Sequence, residues 1–545
     1  MFVIIFIFVA LTFILLYRWI KIKERGEGAG GAGGANLDPG GGGMSADPGR
    51  GGGAEAAGGE LGFVWRRRFY AITALALFLR IAFASAIEGF PSDIMCFKGW
   101  SQAAAENFFT LYDRGADWFI DYPPGYMYVL LVIGKIREIF QIPSESGLYT
   151  LLVKLPSILA DVLSGMLLYA LAGLGQNAAP REGGGLARRI GGHAVGGLTA
   201  DGHTVVAGLS ERTRLLITAF YYFNPVVFFI STIWGQVDSI MTLLILAAVL
   251  CLLRGRHCAS GVFYALSVLL KPQGIIFLPV AFFLLLHGLI TRGDWRAPLK
   301  TALGAIATAV VVTLPFELRH GADWVINLYS NTLSGYKLAS MNAFNFFALI
   351  GGNWKDDSET LFLFSYATWG MLAIVFFTAL TGLFVFRMRA QKTVPDCYTM
   401  LMGSALLLFS VVTFGHRMHE RYFFPVILLQ LAAGLFYESG GDSGESGRAR
   451  RPGGFGGFGG LGGALLSHAW ITLSGFLNVL FVFSAFYTNS SSAFYENAWI
   501  YVISALNVSA AVFLWIHAFR RMMRGGGLRD SLRERRGGAP RAAVP

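Results

Sequence analysis

Apolar segments long enough to cross a lipid bilayer recur along most of this chain, and they limit its fold more than any other feature. A span needs about 20 consecutive apolar residues, and its backbone polar groups must be hydrogen-bonded within the segment, as in a helix. Of the 545 residues, 54% are hydrophobic and only 14% are charged, whereas a soluble domain carries about 25% charged residues. The sequence therefore predicts an all-α polytopic membrane protein.

The basic residues indicate orientation rather than a nucleic-acid surface. The formal net charge is +11, and the excess lies in loops and in the C-terminal tail, which the positive-inside rule places in the cytoplasm. We therefore predict membrane lipids as partners and no nucleic acid. The four cysteines have neither CxxC nor zinc-ligand spacing, so we interpret them as free thiols.

Charge and glycine content divide the chain into successive parts. Residues 1–25 carry their basic residues after the apolar run rather than before it, which favours an uncleaved anchor with its N-terminus outside. The other predicted parts are a Gly-rich flexible linker at 26–64, the main membrane domain at 65–437, a Gly/Arg-rich cytoplasmic loop at 438–463, a C-terminal transmembrane hairpin at 464–519 and a basic cytoplasmic tail at 520–545.

One amphipathic segment decides the predicted topology. Residues 124–139 begin apolar but end with three charged residues, so we predict a helix lying at the outer interface in the first outer loop. A true span there would reverse the orientation of everything downstream. The interfacial alternative places every basic loop in the cytoplasm and gives about thirteen spans, including a pair within 261–290 that is broken at Lys271-Pro272.

With this topology, polar clusters at the ends of apolar helices all lie on the outer side. The clusters are PSDIMCFKGW (91–100), DYPPGYMY (121–128), WGQVDS (234–239), LLKPQG (269–274), MNAFNFF (341–347), HRMHERYFFP (416–425) and the smaller FELRHGADW (316–324). Ionisable groups in or near a membrane are costly and usually face a cavity. The pattern predicts a polar active site at the mouth of a membrane-embedded protein.

Two outer carboxylates are candidates for chemistry. A partly desolvated Asp93, on a loop opened by Pro91, suits a general base; a helix N-cap at Ser92 or Asp93 is an equal alternative. Asp121 precedes Tyr122 and a pair of prolines. The alternative for this second carboxylate is a capped turn into the interfacial helix.

Trp234, Gln236 and Asp238 form a short bend between two apolar spans. An aromatic face beside amide and carboxylate groups suits the hydroxyls of a sugar, although Asp238 also fits the N-cap of the next span. Asn224-Pro225 predicts a kink in the helix that leads to this bend.

Lys271 interrupts an apolar stretch, and Gln273 is its neighbour in the same cluster. A cation at that depth needs an anionic partner. Three partners remain open: Asp93, Asp238 or a lipid phosphate.

The densest charged cluster contains His416, His419, Glu420, Arg421 and Tyr422. The Arg421 guanidinium offers a fork for phosphate oxygens, and His419 offers a second donor. A belt of charge at the outer interface is the alternative. The two histidines would share a helix face, but no third ligand has suitable spacing, so we predict neither a metal site nor a cofactor.

These clusters, in this order, resemble those of the GT-C superfamily of membrane glycosyltransferases, and within it the prokaryotic relatives of GPI mannosyltransferase II. KLPSILAD (154–161) and FNPVVFFISTIWGQVDSI (223–240) extend the resemblance, which covers roughly residues 65–435. The resemblance implies a GT-C-like fold, an interfacial helix in the first outer loop and a polyprenyl-phosphate sugar donor.

The same resemblance implies roles for individual residues. It places the catalytic carboxylate in the first outer loop, where Asp93 matches, and it assigns the donor phosphate to Lys271, His419 and Arg421. The acidic residue stands alone here rather than in an adjacent pair, which favours a mechanism without a metal.

The resulting expectation is an inverting transfer of a hexose, by resemblance mannose, from a polyprenyl-phosphate donor. The acceptor would be a glycan, a lipid or a protein on the extracytoplasmic face of the plasma membrane in a prokaryote, or of the endoplasmic reticulum in a eukaryote. The alternative is a non-catalytic polyprenyl-lipid transporter or flippase. Transporters show paired broken helices near the midplane, whereas this chain has one break and gathers its polar residues at one face, which favours the enzyme.

Overall fold

The computed structural model describes residues 52–113, 120–173, 209–321, 323–389, 396–436, 461–488, 494 and 497–524. Its α-helices, in chain order, are α1 (Gly52–Ala86), α2 (Pro91–Glu106), α3 (Pro124–Ile139), α4 (Gly147–Ala172), α5 (Glu211–Tyr222), α6 (Pro225–Phe228), α7 (Asp238–Leu253), α8 (His257–Leu270), α9 (Leu278–Arg292), α10 (Arg296–His320), α11 (Trp324–Ser334), α12 (Phe346–Leu349), α13 (Tyr366–Arg389), α14 (Asp396–Phe414), α15 (Phe424–Gly434), α16 (Leu461–Tyr487) and α17 (Ala498–Arg524). Strands β1 (Thr360–Leu361) and β2 (Phe364–Ser365) form an antiparallel hairpin.

Within the described residues, eight helices are long and apolar enough to cross a membrane. They are Trp65–Ala86, Gly147–Ala172, Pro272–Arg292, Arg296–His320, Tyr366–Met388, Cys397–Phe414, Gly462–Tyr487 and Ala498–Met522. A ninth span results if α5 is joined to Pro225–Trp234, and α7, α8 and α15 are shorter apolar helices. The all-α polytopic class is thus as predicted, but the count of about thirteen spans is not confirmed. The predicted anchor at 1–25 lies outside the described residues.

The kink predicted at Asn224-Pro225 is present. The helices on its two sides meet at 44°, and the side-chain oxygen of Asn224 accepts hydrogen bonds from two backbone N–H groups of α6, at 3.0 and 3.3 Å. A π-helical segment, Phe229–Trp234, follows and ends at Gly235, whose φ is +94°. Glycine adopts this left-handed conformation without steric cost, so the chain turns sharply immediately after Trp234.

The break predicted at Lys271-Pro272 is also present. Helix α8 ends at Leu270, Lys271 is extended, and a 3-10 turn over Pro272–Phe277 leads into α9. Proline lacks an N–H and disfavours the α conformation of the residue before it, which explains why the helix stops here.

The region between the first two spans is more helical than predicted. Asp93 was expected on a loop, but this region contains α2, which packs against α3. A Cβ on Gly134 of α3 would lie 1.9 Å from the Ser101 carbonyl oxygen, so glycine permits this close helix contact. Helix α3 has the predicted bounds, whereas its position at the membrane interface stays a prediction.

The Gly-rich linker predicted at 26–64 needs a correction at its C-terminal end. Helix α1 begins at Gly52, so residues 52–64 of the predicted linker are helical. Alanine and glutamate in this stretch are good helix formers, so the helix starts before the span, which covers Trp65–Ala86. Residues 26–51 lie outside the described part of the chain.

Candidate active site

Asp93 lies in the first turn of α2 and is half-buried. The N-cap position of α2 is Phe90, without a side-chain capping bond, so the alternative in which Ser92 or Asp93 caps the helix is wrong. The Asp93 carboxylate instead accepts hydrogen bonds at Oδ2 from Trp234 Nε1 at 2.7 Å and from Gln236 Nε2 at 2.5 Å. The first polar cluster and the bend after the π-helical segment therefore meet at one carboxylate oxygen.

Backbone contacts fix the two segments against each other. The Phe90 N–H donates to the Trp234 carbonyl at 2.9 Å, and the two rings stack at 4.4 Å between centroids. Lys154 Nζ donates to the carbonyl of Ile87 at 2.7 Å and to two carbonyls of the π-helical segment, at 3.0 and 3.3 Å. The buried Lys154 thus joins the segment that carries Asp93 to the segment that carries its donors. Sequence analysis assigned Lys154 no role, although a lone lysine inside an apolar span was the available signal.

The Trp234 ring does not offer a face for a sugar, contrary to the prediction. It is fully buried, since Phe90 stacks on it and Phe483 packs against it at 5.6 Å. The prediction came from the residue types of the bend, an aromatic ring beside amide and carboxylate groups. Instead the indole N–H donates to Asp93.

Gln236 connects Asp93 to the next polar cluster. Its Nε2 donates to Asp93, while its Oε1 accepts from the Tyr122 hydroxyl at 3.3 Å and from Lys271 Nζ at 3.5 Å. The side chain is fully buried. Gln236 is therefore a link between groups rather than a direct contact for solvent.

Lys271 forms a buried ion pair with Asp238. The distance from Lys271 Nζ to Asp238 Oδ1 is 2.8 Å, and the two side chains are 2% and 1% exposed. Asp238 Oδ2 is buried with no hydrogen-bond partner among the described residues. Val237, not Asp238, occupies the N-cap position of α7. Of the two carboxylates left open as partners of Lys271, the geometry selects Asp238.

Arg421 also lies near Trp234, with its guanidinium carbon 5.9 Å from the centroid of the indole ring. Arg421 Nη1 donates to Glu420 Oε1 at 2.7 Å. Burial lowers the pKa of Arg421, but the nearby Asp93 and Glu420 carboxylates outweigh it, so the pKa lies well above its usual value. Within the described part of the chain, Arg421 Nε is buried without a hydrogen-bond partner. Buried donors normally have a partner, so this Nε is available to bind an anion.

Glu420 is the internal partner of this cation. Burial raises the pKa of Glu420, but Arg421 and His419 outweigh that effect and bring it to about 2. His419 Nδ1 lies 3.8 Å from Glu420 Oε2. Because Glu420 is buried and already paired, it supports Arg421 rather than facing a substrate.

Tyr422 connects this cluster to the break after α8. Its ring lies 5.0 Å from His419 and 5.8 Å from Lys271 Nζ, and its hydroxyl interacts with the Gln273 side chain. Asp121 approaches the same region: its Oδ2 accepts from Tyr336 at 3.4 Å. Burial raises the pKa of Asp121, while Arg421 opposes the rise.

His416 is the predicted site residue that the structure places elsewhere. Its Nε2 lies 3.8 Å from Asp357 Oδ2, which also accepts from Arg417 Nε at 2.6 Å. The assumption of a shared helix face with His419 is wrong, because Arg417 has a φ of +60° and the chain turns there. Among the described residues, no group of three or more His, Cys, Asp or Glu side chains is arranged to hold a metal ion.

Comparison with known proteins identifies the family. Residues 119–411, more than half of the chain, match the family model Glycosyltransferase family 87. The chain belongs to this glycosyltransferase family. It is a family of the GT-C type, so the predicted resemblance is confirmed. The match begins after Asp93, and it includes the Gln236 and Lys271 segments.

The chain is also similar to GPI mannosyltransferase 1 of Kluyveromyces lactis. The two are 34% identical over 130 residues, which are 23% of this chain and 31% of that protein. The chain thus spans about a third of the length of the curated relative it matches. Family membership and the apolar helices together indicate an integral membrane glycosyltransferase.

Proposed function

We propose that this family 87 protein transfers a hexose from a polyprenyl-phosphate donor to an acceptor hydroxyl, with inversion, and that Asp93 is the general base. The observation that supports this most is the convergence of two donors on a single oxygen of a half-buried carboxylate. These two bonds hold the carboxylate in one orientation. No described residue donates to the other oxygen, Oδ1, which is free to accept a proton.

The chemistry is a single displacement. The acceptor hydroxyl gives its proton to Asp93 Oδ1 as its oxygen attacks the anomeric carbon, and the bond from that carbon to the phosphate oxygen breaks. The lipid phosphate leaves as an anion. A base acting on the face opposite the leaving group inverts the anomeric configuration.

Arg421 and His419 are the candidates for holding the donor phosphate. Arg421 has an unpartnered Nε in the described structure, and a guanidinium suits the geometry of phosphate oxygens. Lys271, by contrast, is already paired with Asp238. We therefore assign Lys271 a positioning role, through Gln236, instead of the phosphate contact implied by the resemblance.

Separate observations support the identity of the sugar and the side of the membrane. Mannose is the proposed sugar because of the partial similarity to GPI mannosyltransferase 1. An extracytoplasmic site rests on the distribution of basic loops. The acceptor class is a glycan, a lipid or a protein.

The test compares wild type with Asp93→Asn in membranes supplied with radiolabelled polyprenyl-phosphate mannose. Because Trp234 and Gln236 donate to the same oxygen, the asparagine carbonyl can accept both bonds, so the variant should fold. We expect wild type to transfer mannose and kcat of the variant to fall by about 10²- to 10⁴-fold, with donor binding retained.

Other outcomes would change the proposal. Equal transfer by both proteins would keep the enzyme class and remove Asp93 as the base. Absence of transfer by wild type, with lipid still bound, would favour another donor sugar or the transporter alternative. Expression level and thermal midpoint of the two proteins are the controls for folding.

A further inference from the structure

The hairpin before α13 carries two large apolar side chains at its tip. Strands β1 and β2 pair Leu361 with Phe364, so Phe362 and Leu363 form the turn, and they are 89% and 82% exposed. Phe362 has a φ of +57°. Asparagine and glycine favour this conformation in turns exposed to water, whereas a bulky aromatic residue is unfavourable there. The chain thus holds apolar groups outward at a conformational cost.

The hairpin lies beside the first turn of a membrane span. Trp369 Nε1 donates to the Leu361 carbonyl at 2.9 Å, and the Trp369 and Phe364 rings meet at 5.2 Å between centroids. The span Tyr366–Met388 begins directly after β2. Because Leu361 is the last residue before the tip, the tip lies close to the level of the first helical turn.

The exposed surface of the same span continues the apolar surface of the tip. Further along α13, apolar side chains are again exposed: Met371, Leu372, Val375 and Phe376. No charged residue occurs between Glu359 and Arg387. The polar residues of the loop, including Asp356 and Glu359, precede the hairpin instead. The hairpin is therefore amphipathic along its length, with a polar base and an apolar tip.

We infer that the tip of this hairpin, Phe362 and Leu363, inserts into the lipid bilayer at the interface where α13 begins. Lipid acyl chains are the partner, since the tip has no charge and its apolar surface continues along the exposed apolar face of a candidate membrane span. The loop that precedes the hairpin is bonded to the segment before Arg421, because Asp357 accepts a hydrogen bond from Arg417. Insertion of the tip would fix the distance between the loop that contains Asp357 and the membrane surface.

The test is photo-crosslinking in proteoliposomes that contain an alkyne-tagged phospholipid. The variant Phe362→p-benzoylphenylalanine is compared with the same substitution at Phe376, a lipid-facing position of α13, and at Lys355, an exposed polar position of the same loop. We expect a lipid adduct at 362 comparable to that at 376 and roughly tenfold or more above that at 355, the preference that burial of a large apolar side chain gives. An adduct at 362 no stronger than at 355, or one formed with a second protein copy instead of lipid, would overturn the inference.

A second measurement uses Phe362→Gly. Glycine adopts the positive φ without strain, so a tip exposed only to water should be stabilised by this change. An inserted tip loses its apolar contact instead. We expect a lower thermal midpoint in lipid nanodiscs, and a raised midpoint would contradict insertion.

Discussion

The ion pair between Lys271 and Asp238 gives the sharpest test of how the site is held. Both side chains are almost fully buried, their charged atoms are 2.8 Å apart, and Asp238 Oδ2 has no partner among the described residues. Lys271→Met leaves a buried carboxylate without its counter-ion, which costs about 3–5 kcal/mol. Asp238→Leu leaves an unpaired ammonium at a similar cost. The double variant removes both charges and should cost much less than the sum.

Thermal midpoints in lipid nanodiscs measure this cycle. Each single variant should lower the midpoint by on the order of 10 °C, and the double variant should recover most of the loss. A matched control is Arg80→Met, because Arg80 forms another buried pair with Asp161, at 3.5 Å, that makes no contact with Gln236 in the described structure. Additive losses in the cycle would refute the structural role of the Lys271 pair.

The KM for the lipid donor separates the two roles considered for Lys271. If Lys271 only pairs with Asp238 and orients Gln236, the folded double variant should keep its KM for the donor within about threefold while kcat falls. If Lys271 holds the donor phosphate, KM should rise even in the well-folded double variant. A raised KM with unchanged kcat would therefore restore the phosphate role to Lys271.

Three further predictions concern residues around the base. Lys154→Met loses three contacts from one cation to backbone carbonyls, so it should lower kcat by roughly 10- to 100-fold with little change in the KM for the donor. Lys154→Arg keeps the cation and should recover part of the activity. Unchanged steady-state kinetics of Lys154→Met would contradict this. Gly235→Ala should lower the thermal midpoint far more than Gly255→Ala. Both glycines have a positive φ, so the backbone strain is matched. A Cβ at position 235 would lie 2.5 Å from an isoleucine side chain, whereas a Cβ at position 255 would have no atom within 4 Å. The pKa of Glu420 falls from 4.5 to about 2 on folding. The ionised Glu420 therefore stabilises the folded protein above about pH 4.5, and this stabilisation is lost as the pH falls towards 2. Thermal midpoints measured across this range should fall more steeply in wild type than in Glu420→Gln, and parallel curves would argue against the pairing of Glu420 with Arg421.

Much of the helical architecture could be predicted because it follows from local properties of the sequence. Apolar length predicts spans, and the two helix interruptions come from Asn224-Pro225 and Lys271-Pro272, where proline acts on its own neighbours. Helix α2 could not be predicted in the same way, since its sequence mixes polar, aromatic and small residues. Its contact with α3 at Gly134 is a tertiary contact that no local pattern reveals.

The site was only partly predictable for a related reason. Sequence analysis selected residues whose chemistry is unusual near a membrane, and most of them do converge around Asp93. It could not reveal which groups pair, because Asp93 and Gln236 are more than a hundred residues apart. The exception, His416, depends on the positive φ of Arg417, and arginine carries no sequence signal for that conformation.

The hydrogen bonds of Gln236 also suggest a role for the buried ion pair between Lys271 and Asp238. An amide can be rotated so that its oxygen and nitrogen exchange places. If Gln236 were rotated, its NH₂ group would face the Lys271 ammonium and the Tyr122 hydroxyl, and its oxygen would face the Asp93 carboxylate. Each lost hydrogen bond to a charged group costs about 1.5–3 kcal/mol, so the rotated form is strongly disfavoured. Lys271, held by Asp238, therefore fixes the orientation of the Gln236 amide, so that its NH₂ group donates to Asp93. The charge pair adds little net stability, but it makes the orientation of the base specific.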